Sequence, residues 1–129
     1  MADRPKTLRK AITEGFEHVS NWTREGDRTK LAHLNWEEKA GWLYAFVVEG
    51  TVMYIGLTTG VLRSRMDHYR HLKQDQPARL RELIEGELDD GQGVLLYGRH
   101  IRDGQSLIRE EARLIHELDP PWNIAKPVV

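Results

Sequence analysis

The chain contains no cysteine, which removes disulfides and thiolate zinc sites and leads us to expect a cytoplasmic setting. No apolar run approaches the length of a bilayer span, and the opening MADRPKTLRK lacks the apolar core of a signal peptide. Excess positive charge is missing too: 19 Lys and Arg against 20 Asp and Glu give a formal net charge of −1. A nucleic-acid partner therefore requires basic side chains to be segregated on the surface, since the net balance supplies no attractive field. Internal repeats and low-complexity segments are absent as well. What remains is ordinary for one globular domain with a buried core: 129 residues, 40% apolar and 30% charged.

The most informative stretch is GWLYAFVVEGTVMYIGLTTGVLRSRMDHY, residues Gly41 to Tyr69. Trp42–Val48 and Thr51–Ile55 are rich in β-branched and aromatic residues, and Glu49-Gly50 between them is a turn signal. A three-residue loop Val48-Glu49-Gly50, with Gly50 left-handed, sets Val47 against Thr51 and Tyr44 against Tyr54. Both phenols then lie on one sheet face; a two-residue loop puts them on opposite faces.

Elsewhere, Leu8, Ala11, Ile12, Phe16 and Val19 have helical spacing over Thr7–Ser20, ended by the polar stretch Asn21–Asp27. A short helix over Lys30–Lys39 is expected, capped by Asn35. After the hairpin, Leu57–Gly60 reads as a loop and Val61–Leu72 as a helix. Gln76-Pro77 opens another helix, with Leu80, Leu83 and Ile84 on one face as far as Gly86. Asp89-Asp90-Gly91 is a turn, Val94–Ile101 a third strand, and Ser106–Leu118 a helix stopped by Asp119-Pro120-Pro121. The expected architecture is α/β: a helical arm over residues 1–40, packed on a domain over residues 41–129 in which helices flank a small three-stranded sheet.

Glu111 is out of place on the last helix. It lies among Leu107, Ile108, Leu114, Ile115 and Leu118, inside the apolar stripe. A carboxylate there costs several kcal/mol unless it is paired, protonated or bound to a metal, or reaches water at the edge of the stripe.

Tyr54-Ile55-Gly56, then Thr58, Leu62, Arg65 and His68, then Glu111-Ala112-Arg113-Leu114-Ile115 and Pro121-Trp122-Asn123, resemble the GIY-YIG nuclease superfamily over Gly41–Ile124. The resemblance implies a three-stranded antiparallel sheet flanked by helices and hydrolysis of DNA phosphodiester bonds with one divalent metal, Mg²⁺ or Mn²⁺. Tyr44 and Tyr54 match the motif tyrosines, Gly56 the close-approach glycine and Arg65 the catalytic arginine. Glu111 matches the metal ligand and Asn123 the residue closing the site. Leu62 and Met66 around Arg65 favour it over Arg63. His68 is a further catalytic candidate, three residues after Arg65 where four is more usual. The first motif reads Trp42-Leu43-Tyr44, and Leu57 stands where several members carry a lysine.

These residue types suit the chemistry. A hard cation on one carboxylate, keeping several waters, polarises a phosphate and stabilises the leaving oxygen. Arginine offers a planar fork to phosphate oxygens, and a tyrosine beside both charges is a candidate general base. Tyr54 is expected to contact the water with Tyr44 as its partner, although the two are exchangeable. Arg63, Arg70 and Lys73, with His68 and His71, make the helix after Gly56 the most basic segment, either a DNA-facing surface or a solvated one. His68 and His71 also have zinc-ligand spacing, without a third ligand in view. Trp122 reads as core rather than a base-stacking platform. The rival to a DNA endonuclease is an idle module of the same fold that binds nucleic acid or a protein. A nuclease that works only in a complex is a third reading; the arm itself is expected to dock on the sheet, with DNA contact or homodimerisation as its alternatives.

Overall fold

The computed structural model describes residues 4–26, 28–32, 39–71 and 75–124. The chain runs α1 (Leu8–Thr13), β1 (Glu17–Glu25), β2 (Arg28–Leu31), β3 (Ala40–Val48), β4 (Thr51–Val61), α2 (Leu62–His71), α3 (Asp75–Asp89), β5 (Val94–His100) and α4 (Gly104–Leu118). The strands form one sheet in the order β2-β1-β5-β3-β4, and every neighbouring pair is antiparallel.

β3 lies between β5 and β4 and is buried from Trp42 to Val48, which is why it reads as a continuous apolar run. Its alternate residues feed two cores. Tyr44, Phe46 and Val48 face Leu62, Met66 and Tyr69 of α2 and Leu80 and Ile84 of α3. Leu43, Ala45 and Val47 face Leu107, Leu114, Ile115 and Leu118 of α4, with Ala11 of α1 and Phe16. Each fully buried side chain of this size contributes about 1.5–3 kcal/mol.

The hairpin corrects the expected register. Glu49 (φ 49°) and Gly50 (φ 77°) are both left-handed, so the loop has two residues and Val48 pairs with Thr51. A regular ladder from there would separate the two tyrosines. The register shifts between Phe46 and Val47, however, so Met53 is an extra residue; Phe46 pairs with Tyr54 and Tyr44 with Gly56. The bulge restores the parity that the shorter loop removes. Downstream, 57–60 belongs to β4 rather than to a loop, and α2 starts at once at Leu62.

The sheet has five strands, not three, because the expected helical arm supplies two of them. Helix α1 ends at Thr13; Gly15 (φ 98°) turns the chain, and β1 pairs with β5 from Glu17 against Gly98 to Trp22 against Val94. Trp22 and Ser20 are buried, and the Ser20 hydroxyl donates to the Ala32 carbonyl. The helix expected over Lys30–Lys39 is contradicted at its start, where Arg28–Leu31 is strand; its Asn35 cap lies outside the described residues.

Candidate active site

The bulged hairpin gathers phenols on one face at the β4 edge. The rings of Tyr44 and Tyr54 are 6.2 Å apart between centroids, and Phe46 stacks on Tyr54 at 5.5 Å. A third tyrosine joins them from α2: the hydroxyls of Tyr44 and Tyr69 are 2.6 Å apart. Sequence reasoning passed over Tyr69, although it stands four residues after Arg65, the spacing at which His68 falls one short. Gly56 opposes Tyr44, and a Cβ there would sit 2.6 Å from the Tyr44 Cζ and hydroxyl oxygen. The close approach at Gly56 is thus to the tyrosine ring.

Tyr44 and Tyr69 are buried, whereas Tyr54 is partly exposed. Burial pushes all three phenols above their ordinary pKa, because water no longer solvates the phenolate. Tyr54 alone combines access to solvent with two neighbouring hydroxyls, of Tyr69 and Tyr44, that favour its ionised form.

Arg65, in the first turn of α2, is half-buried, while Arg63 is exposed. The field of Arg65 acts on Tyr44, Tyr54, Tyr69 and Glu111. Glu111 reaches the same place from α4, across the sheet. Leu107, Leu114, Ile115 and Leu118 beside it are buried, whereas Ile108 is 61% exposed and off the stripe. Glu111 is half-buried and makes no hydrogen bond or ion pair among the described residues. Burial raises its carboxyl pKa, and Arg65 opposes the rise.

Its neighbour Glu110 has the opposite surroundings. Arg113 Nε donates to it at 2.9 Å and Arg99 at 3.1 Å, which hold its pKa at about 2. Arg113 also bonds Glu14 at 2.6 Å, tying the end of α1 to α4.

Asn123 binds the outer edge of β4. Its Oδ1 accepts from Ile55 N at 3.1 Å and its Nδ2 donates to Ile55 O at 3.0 Å. Trp122 N donates to Met53 O at 2.7 Å, so the segment after α4 pairs on both sides of Tyr54 and covers an otherwise open strand edge. The Trp122 ring is buried with the α2–α3 core, as its reading as a packing residue requires. The side chains of His68, Arg70 and His71, and all of Lys73, lie outside the described residues. Among the described residues no three His, Cys, Asp or Glu gather as metal ligands. A lone half-buried glutamate suits a hard cation that keeps its waters and takes phosphate oxygens, and does not suit a protein-caged zinc.

A bulged hairpin with paired tyrosines, an arginine helix on one face and a glutamate helix on the other define a GIY-YIG nuclease-type fold. Similar solved structures include the following two. One is a variant of bacteriophage T4 EndoII, a GIY-YIG nuclease: TM-score 0.73 and 23% identity, covering 91% of this chain and 98% of that one. The other is restriction endonuclease HPY188I in complex with product DNA: TM-score 0.54 and 14% identity, covering 99% and 95%. No protein-family model and no curated protein matches the chain.

Proposed function

We propose that the protein is a divalent-metal-dependent DNA endonuclease, hydrolysing phosphodiester bonds at the β4 edge in a cytoplasmic setting. One observation carries this reading. Arg65 and Glu111 are half-buried opposite charges that act on each other and on the phenols, yet neither closes an ion pair among the described residues. Buried charges ordinarily pair, so leaving these apart costs stability. The arrangement makes sense if a third party, a cation with a phosphate, belongs between them.

Each group then has a role. Arg65 forks onto the non-bridging phosphate oxygens and fixes the phosphate for attack. Tyr54 holds the attacking water and, as phenolate, takes its proton while the P–O bond to the leaving oxygen breaks. Tyr44, locked by Tyr69 and by the space at Gly56, sets the position of Tyr54. Asn123 holds the backbone of β4 beside Tyr54. Glu111 would hold Mg²⁺ or Mn²⁺, which when bound polarises the phosphate and stabilises the leaving oxygen. The DNA-bound state of HPY188I supports DNA as the substrate. The test is incubation with supercoiled plasmid. Nicked and linear products with Mg²⁺ or Mn²⁺, and none with EDTA or in Glu111→Gln, are expected; metal-independent or absent cleavage overturns the reading.

A further inference from the structure

We infer that the cleft at the ends of β3, β4 and β5 is a subsite for DNA backbone phosphates flanking the cleaved bond. The inference rests on the nuclease reading and extends it to residues outside the phenol cluster. The cleft has a volume of about 570 Å³, and its walls include Lys39, Gly41, Thr59, His100, Arg102 and Leu107. Every charged or titratable side chain among the described lining residues is basic. A chain of net charge −1 thus places two cations, Lys39 and Arg102, beside His100 in one depression, a local surface of the sign a polyanion takes.

The nearest acid in sequence is turned to another use. Asp103 caps α4 by accepting from Ser106 N at 2.9 Å and Ser106 Oγ at 2.7 Å. His100 is a fixed part of the wall: its Nε2 meets Ala40 O at 3.0 Å, and its ring lies 5.2 Å from that of Trp42. Arg102 is exposed and makes no hydrogen bond or ion pair among the described residues.

The cleft also points at the reacting groups. Leu107 precedes Glu111 by one turn on the same side of α4, a rise of about 6 Å, and Thr59 lies three residues beyond Gly56 on β4. The cleft therefore adjoins the position of a phosphate held at Glu111.

Fluorescence anisotropy of a short labelled duplex, titrated at several KCl concentrations with the non-cleaving Glu111→Gln protein as parent, tests this. Arg102→Ala should lower the slope of log affinity against log salt by about 0.9, and Lys39→Ala with Arg102→Ala by about twice that. Arg9→Ala makes the same charge change on α1. That helix bonds through Leu8 N to Gly50 O at the opposite end of the hairpin, so its slope should match the parent's. Equal slopes for Arg102→Ala and the parent, with the parent binding, would overturn the subsite and leave the nuclease reading standing. A parent that binds no duplex at any salt would overturn both.

Discussion

A methyl group at position 56 would press on the ring that orders the phenol cluster, since its carbon falls 2.6 Å from the Tyr44 hydroxyl oxygen. Gly56→Ala is expected to destabilise by about 1–3 kcal/mol, as overpacking does, and to lower cleavage by displacing Tyr44. Urea unfolding and a plasmid assay check both; unchanged stability would show that the ring moves aside freely. Tyr69→Phe removes the partner 2.6 Å from the Tyr44 hydroxyl and should cost about 1 kcal/mol in urea unfolding while retaining part of the cleavage. The arginines divide by burial. Arg65→Ala should abolish cleavage with the fold intact, and Arg63→Ala should weaken DNA binding in a salt-dependent way; plasmid assays over a salt series separate them, and the reverse pattern would exchange their roles. At this scale the motif spacing marked Tyr44 and Tyr54, and an acid on an apolar stripe marked Glu111, while the loop expected to bring the tyrosines to one face gave way to a bulge. Tyr69 is a common residue on a mixed helix; its place four residues after Arg65 is its one mark in the sequence, and its hydroxyl contact supplies the rest.

Among the elements, legibility followed how far each is determined by its own residues. Helix α4 has a side-chain cap at Asp103, a steady apolar stripe and a proline stop, and it forms as expected. β1 was hidden. Phe16 and Val19 continue the helical spacing begun at Leu8, and the only overt stop is Gly15, whose left-handed backbone ends α1. Pairing with β5 makes it a strand, a partner far along the chain. The bulge at Met53 was equally invisible, because no glycine marks it; packing of both Met53 and Tyr54 against one core sets it. The Arg113 network on α4 predicts a pH dependence. The Glu110 pKa is lowered from 4.5 to about 2, chiefly by hydrogen bonding to Arg113, so its contribution is full above 4.5 and lost as pH falls toward 2. Thermal melts between those limits should show a loss that is smaller in Glu110→Gln; identical pH profiles would remove Glu110 as a source.

For the whole molecule, a net charge of −1 supplies no attractive field for a polyanion, so the proposed DNA binding relies on local segregation of charge. Several acids are engaged by Arg113, among them Glu14, Glu110 and Glu117, while the described lining of the cleft holds Lys39, His100 and Arg102 and no acid. Glu111 is half-buried with no hydrogen-bond or ion-pair partner among the described residues, at a cost in stability. Such a cost is maintained where function needs it. Melting of the wild type and Glu111→Gln, each with and without Mn²⁺, tests this most directly. Without metal, Glu111→Gln should be as stable as the wild type or more so, because a buried charge is gone. Mn²⁺ at a hundredfold excess over its dissociation constant should stabilise the wild type by about 2.7 kcal/mol and leave Glu111→Gln unmoved. A loss of about 3–5 kcal/mol in metal-free Glu111→Gln, with no Mn²⁺ shift in the wild type, would make Glu111 half of a structural ion pair and contradict the metal site.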